Sequence, residues 1–131
     1  MMRYCLDTSV VIDLLRGVHK TEQKLRDIPG IFCINPIILC EIYKGVYGSR
    51  DVSSSLAVTQ AFFMEAEFLS FSEEACVLFG KIFNTLKRKG KPTGEFDLLI
   101  GCIALAHHTT LVTKNSSDFK HITGLQILAI D

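Results

Sequence analysis

Arg3-Tyr4-Cys5-Leu6-Asp7-Thr8-Ser9-Val10-Val11-Ile12-Asp13-Leu14-Leu15 is the stretch on which the fold turns. Tyr4, Cys5 and Leu6 read as a short buried strand, and the apolar run ends on a carboxylate. A helix then begins at once, with Thr8 or Ser9 expected as its cap and Val10, Val11, Leu14 and Leu15 as its apolar positions. Asp7 is therefore expected at the carboxyl end of a strand, facing the amino end of a helix. In open α/β sheets ligands bind there, in the crevice beyond the strand ends. Asp13 lies further along the helix and reads as surface or structural.

Outward from that stretch, strands and helices alternate. A short helix is expected from about Lys20 to Asp27, stopped by Pro29-Gly30, and Ile31–Ile34 reads as a second buried strand. Asn35 can cap the next helix, with Pro36 at its first position and Ile37, Ile38, Leu39, Ile42 and Val46 along it. Residues 51–55 read as a loop or frayed start, 56–65 as helix and 67–71 as a third strand. Ser72 caps a helix with Glu73 and Glu74 in its first turn and Lys87, Arg88 and Lys89 in its last, which suits the helix dipole. Lys91-Pro92-Thr93-Gly94 is a turn. Residues 96–107 are apolar almost all round, as in a buried helix. Residues 110–113 and 125–129 read as strands, with a loop and one helical turn between them over 115–119. The alternation implies a mostly parallel sheet with helices on both faces.

Composition narrows the function. The chain has 131 residues, of which 48% are hydrophobic, and it reads as one domain over 1–131. Its formal net charge is zero, so no global basic field points to nucleic acid. The five cysteines (Cys5, Cys33, Cys40, Cys76, Cys102) are odd in number, form no CxxC and sit among apolar neighbours. They read as small buried hydrophobes in a reducing cytosol. Asp7 and Asp13 interrupt any signal-peptide core, and the longest apolar run is too short for a bilayer span, so a cytoplasmic, membrane-free protein is expected.

Four acids can reach one place. Asp7 and Asp118 both follow strands. Asp97 opens the apolar helix, and its face continues through the small residues Gly101 and Ala104. Glu41 lies about one turn into a helix that starts on the same side, on the shoulder of its buried face. Each has an ordinary alternative: a cap for Asp7 or Asp97, pairing with Lys44 or Arg50 for Glu41, turn chemistry for Asp118 and Asn115. Glu95 reads as peripheral. Together, however, the four would repel one another and raise each other's pKa. A hard divalent cation removes that cost, activates water and steadies phosphoryl charge. Metal-assisted phosphodiester hydrolysis is the reading that follows.

The segments Leu6–Leu15, Ile38–Gly45, Phe96–Cys102 and Leu111–Phe119, in that order and spacing, resemble the PIN-domain family, and within it the compact VapC-type toxins of toxin–antitoxin modules. The resemblance implies a three-layer α/β/α sandwich with a five-stranded parallel sheet. It implies an endoribonuclease dependent on Mg²⁺ or Mn²⁺, usually a homodimer, held inactive by a small VapB-type antitoxin. Asp7, Glu41 and Asp97 match the family's core acids, and Asp118 its more variable fourth. Thr8 matches a hydroxyl position beside the first aspartate, and Thr113 and Asn115 match a Thr-x-Asn element. The chain departs at Asn35, where many relatives carry serine, and at Gly101-Cys102, where two alanines are common.

Lys87, Arg88, Lys89 and Lys91 form the densest basic cluster. Helix-end electrostatics explain it first and phosphate contact second. Arg16, Lys44, Lys114 and Lys120 lie near the acid-bearing segments, while His107, His108 and His121 show no ligand spacing. Two other readings stand beside the nuclease. A phospho-accepting, receiver-like module would use strand-end acids and a late lysine such as Lys114, but it lacks an early acid pair. An inert scaffold would not need all four acids.

Overall fold

The computed structural model describes residues 2–91 and 93–131. The turn expected over residues 91–94 includes Pro92, which lies outside the described residues. Strand β1 spans Arg3–Leu6, with only Arg3 less than fully buried. Helix α1 follows over Thr8–Leu15. Asp7, not Thr8 or Ser9, caps it: its backbone is extended and its carboxylate accepts from Thr8 N. An aspartate reaches a free helix N–H as well as a hydroxyl does and adds a charge suited to the dipole. Helix α2 covers His19–Arg26, one residue earlier than expected at each end.

Strand β2 (Ile31–Ile34) leads through Asn35 into helix α3 (Pro36–Tyr47). Asn35 Oδ1 accepts from the backbone N–H groups of Ile37 and Ile38 at 3.1 and 3.2 Å, as its cap position predicts. Helix α4 runs over Val52–Glu65, four residues longer at its start than its apolar pattern suggests. Asp51 caps it by accepting from Ser54 N at 3.0 Å, so the polar serines that read as loop are its first turn. Strand β3 is only Glu67–Phe68. It pairs with Cys33 and Ile34, and the chain of β2 then turns away at the Asn35 cap, leaving residues 70 and 71 without a ladder.

Helix α5 (Glu73–Arg88) is capped by Ser72 and packs against helix α6 (Glu95–Ala106). Strand β4 covers Thr110–Thr113, a 3-10 turn covers Ser116–Asp118, and β5 covers Ile127–Ala129, shorter than expected. The strand order is β3-β2-β1-β4-β5, and all four pairings are parallel. This is the α/β fold with a five-stranded parallel sheet that the alternation implies. Of the cysteines, Cys5, Cys33 and Cys102 are buried as expected, but Cys40 and Cys76 are exposed on their helices.

The order of strands fixes where function can sit. From β1 the chain steps outward to β2 and β3, then returns to the other side of β1 for β4 and β5. Right-handed crossovers put those two directions on opposite faces. The connections after β1 and β4 therefore part from each other, which opens a crevice at their carboxyl ends. Asp7 directly follows β1, and Thr113 ends β4.

Candidate functional site

Asp7 is almost fully buried, at 5% exposure, and every polar contact it has is local to the crevice. Its Oδ1 accepts from Thr8 N at 2.8 Å, and its Oδ2 accepts from Thr113 Oγ1 at 2.8 Å and Ser9 Oγ at 3.2 Å. Burial raises the Asp7 pKa, these three hydrogen bonds oppose the rise, and the charge of Glu41 adds to it. In the sequence Ser9 reads only as an alternative cap to Thr8. Its partnership with Asp7 depends on α1 starting one residue earlier, which brings its hydroxyl back over the carboxylate.

Glu41 lies half-buried on α3, and Thr8 Oγ1 donates to its Oε1 at 2.6 Å. Neither Lys44 nor Arg50 pairs with it among the described residues. Thr8 thus joins two acids, its N–H on Asp7 and its hydroxyl on Glu41. Asp97 sits in the first turn of α6. Burial, then the charges of Asp7, Asp118 and Glu41, push its pKa up to about 6. Asp97 therefore lies within reach of the charges of the other three carboxylates. Asp118 is exposed in the 3-10 turn, where its N–H donates to Asn115 O at 3.0 Å. Asn115 engages the site through its backbone: its N–H donates to Thr113 Oγ1 at 2.9 Å, while its side chain is exposed. Glu95 is exposed in the same first turn as Asp97.

The charge of this cluster is unbalanced. The ion pairs among the described residues are Arg3–Glu67, His19–Glu22 and Lys114–Asp13, and none involves these four acids. Lys114 Nζ is held 2.6 Å from Asp13 Oδ2, which also accepts from Thr21 Oγ1 at 2.6 Å. Asp13 is therefore structural, tying α1 to the start of α2 and to the end of β4. The same pairing removes Lys114 as the lysine of a receiver-like site. Among the described residues no group of three or more His, Cys, Asp or Glu side chains is closed tightly enough to hold a metal ion. The donor set itself consists of carboxylate oxygens with no thiol or imidazole, which suits a hard divalent ion better than zinc.

Beside Glu41 a cleft of about 320 Å³ opens between α1, α3 and α4, with Ile12, Leu15, Ile42 and Val58 as apolar walls and Arg16 among its polar lining. No helix of the described residues is long and apolar enough to cross a membrane.

A five-stranded parallel sheet with acids gathered over its switch point is the arrangement of a PIN-type nuclease domain, and the comparison with known proteins agrees. The PIN domain model matches residues 4–125, and the chain belongs to the PIN-domain family. It is 34% identical over 128 residues to Ribonuclease VapC1 of Haemophilus influenzae (strain R2866), covering 95% of this chain and 96% of the relative. It is 28% identical over 127 residues to the tRNA(fMet)-specific endonuclease VapC of Shigella flexneri, covering 96% of each. Its fold superposes with a TM-score of 0.91, at 28% identity, on a chain of the VapBC2 crystal structure from Rickettsia felis bound to a promoter DNA fragment, covering 99% of this chain and 100% of that one.

Proposed function

We propose that this chain is a metal-dependent endoribonuclease acting as the toxin of a VapBC-type pair, with Asp7, Glu41, Asp97 and Asp118 as its metal-holding and catalytic acids. One observation carries the reading. Asp97 is pushed up to about 6 by burial and by the other three acids, and no lysine or arginine among the described residues relieves them. Mg²⁺ or Mn²⁺ held there supplies the missing positive charge, activates water and steadies a phosphoryl group.

The chain's own residues prepare that role. Thr113, Thr8 and Ser9 hold the Asp7 carboxylate in one orientation and favour its charged form against burial. The Thr8 hydroxyl fixes Glu41 beside it. Thr113 and Asn115 act through other groups, one on Asp7 and the other on Thr113. Asp97 is harder to ionise than an ordinary carboxyl while the cluster is uncompensated, and positive charge bound there would lower its pKa again.

RNA is the substrate class because the relatives above are ribonucleases by name, and the tRNA(fMet) of the Shigella protein is the first substrate to try. A VapB-type antitoxin is the partner class suggested by the Rickettsia complex, and the apolar cleft beside Glu41 supports it. Exposed Tyr47, Met64 and Phe68 support self-association as a homodimer. The five unpaired cysteines suit the reducing cytoplasm, and the chain works as one domain.

Inducible expression of the wild type beside Asp7→Asn tests the proposal, with growth and RNA integrity followed together. Growth arrest with RNA cleavage by the wild type only is the expected result. Normal growth with intact RNA, or equal arrest by a folded Asp7→Asn protein, overturns it.

A further inference from the structure

We infer that the cleft between the last turn of α5 and the first turn of α6 is an RNA subsite, taking one nucleotide that flanks the scissile phosphate. The inference rests on the nuclease reading above. Phe83, Leu86, Lys87 and Gly90 line it at helical spacing, and Lys91, Thr93 and Leu98 complete it around about 320 Å³. Its accessible apolar surface comes from the half-buried Phe83, with Leu86 and Leu98 packed beneath it. Its rim carries Lys87 and Lys91, and no acid lines it among the described residues.

The rim is built. Gly90 adopts φ +66°, its N–H donates to Lys87 O at 3.1 Å, and Lys91 N donates to Leu86 O at 2.9 Å. This pair of bonds closes a helix with a left-handed residue, and it pins Lys91 beside Leu86. Helix-end electrostatics account for Lys87 and Arg88 in the last turn, but not for Lys91, which lies beyond the helix. Lys87, Arg88, Lys89 and Lys91 are all exposed, and none forms an ion pair among the described residues.

Two residues of the cleft are chain neighbours of the acid site. Leu98 follows Asp97 in α6, and Thr93, on the rim, precedes Gly94, where an added Cβ would stand 3.6 Å from Asp97 Oδ2. An apolar floor under a cationic rim matches a base with its adjoining phosphates. An apolar side chain of a protein partner would use the floor and leave the lysines unpaired.

The test compares wild type with the double variant Lys87→Ala/Lys91→Ala, both of whose sites are exposed. Binding of a fluorescein-labelled, mixed-sequence single-stranded RNA is followed by anisotropy in EDTA across a salt series. Cleavage of the same RNA is followed in Mn²⁺. The variant is expected to bind several-fold more weakly, and its slope of log affinity against log salt to fall by about 1.4, or about 0.7 for each phosphate contact. Its KM should rise while kcat holds. A folded variant with unchanged slope and KM, beside a wild type that cleaves, overturns the subsite and leaves the nuclease reading intact. A variant that binds the RNA like wild type but no longer co-purifies with a co-expressed VapB-type antitoxin also overturns it, giving the cleft to a protein. A wild type that neither binds nor cleaves the RNA removes both readings.

Discussion

Thr113 Oγ1 donates to Asp7 Oδ2 at 2.8 Å, so the end of β4 steadies the acid at the end of β1. The bond spans the point where the chain's two crossover directions part. Thr113 is fully buried, so Thr113→Val keeps the shape and removes the donor. Partners of this kind behind a metal-binding acid are worth about 10–100-fold in affinity or activity. Thr113→Val is expected to lose that much metal-dependent cleavage, to bind Mn²⁺ more weakly by calorimetry, and to shift its pH–rate profile upward. Thr113→Ser should recover most of the loss. Equal activity in both variants would show that Asp7 needs no such support.

Asp97 gives a pH signature whose sign is fixed. Its folded pKa is raised to about 6, above the ordinary carboxylate value, mainly by burial. Between those values the folded chain holds a proton that the unfolded chain has released, so stability falls as pH rises through the window. The penalty is complete above about pH 6 and absent below about pH 4. Asp7 is raised as well and acts in the same sense. In EDTA, the Tm advantage of Asp97→Asn over wild type should grow across that window, and Mg²⁺ should shrink it. Parallel Tm curves for the two proteins would mean that Asp97 carries no such strain.

Asn35 joins the two helices that carry Glu41 and Asp97. Its Oδ1 caps α3, and its Nδ2 donates to Ile100 O in α6 at 3.3 Å. Serine could keep the cap but is too short for the second bond, which gives a physical meaning to asparagine at this position. Urea denaturation should show a loss of about 1 kcal/mol for Asn35→Ser and about 2–3 kcal/mol for Asn35→Ala. A Ser variant as stable as wild type would remove any role for the Ile100 contact.

The Asp13–Lys114 pair should behave as structure. Lys114 is the first cause holding the Asp13 pKa below the usual carboxylate range, and Thr21 is the second. Its stabilisation is therefore present above the unfolded value near 3.9 and is lost as pH falls through the folded pKa. With Lys114 39% exposed, solvent weakens the pair, and a double-mutant cycle of Asp13→Ala and Lys114→Ala should give about 1 kcal/mol of coupling. The coupling should vanish at low pH. A coupling that persists there would assign it to packing.

Much of this arrangement could be read from the chain because local signals agreed with the global fold. The apolar run into Asp7, the Asn35-Pro36 cap and the acid-to-base gradient of α5 each name an element without tertiary help. What the chain alone does not show is mostly set by tertiary partners. The serines before Leu56 look like loop because a polar first turn on the surface shows no apolar period, and only the Asp51 cap betrays it. Strand β3 reads longer in sequence than it is because its length is set by where β2 turns away, not by its own residues. Cys40 and Cys76 look buried by their neighbours in sequence but lie on exposed helix faces. Lys114 could be placed near the acids but not paired, because Asp13 lies 101 residues away. The cleft over Leu98 is likewise formed by two helices and shows in neither alone.

Cleavage of RNA by wild type and Asp97→Asn across a Mn²⁺ titration, with both proteins shown to be folded by circular dichroism, tests the central claim most directly. The four acids as one metal-dependent centre predict cleavage that rises with Mn²⁺ in the wild type, disappears in EDTA and falls by at least about 100-fold in Asp97→Asn. Undiminished cleavage by the folded variant, or wild-type cleavage that ignores EDTA, contradicts it.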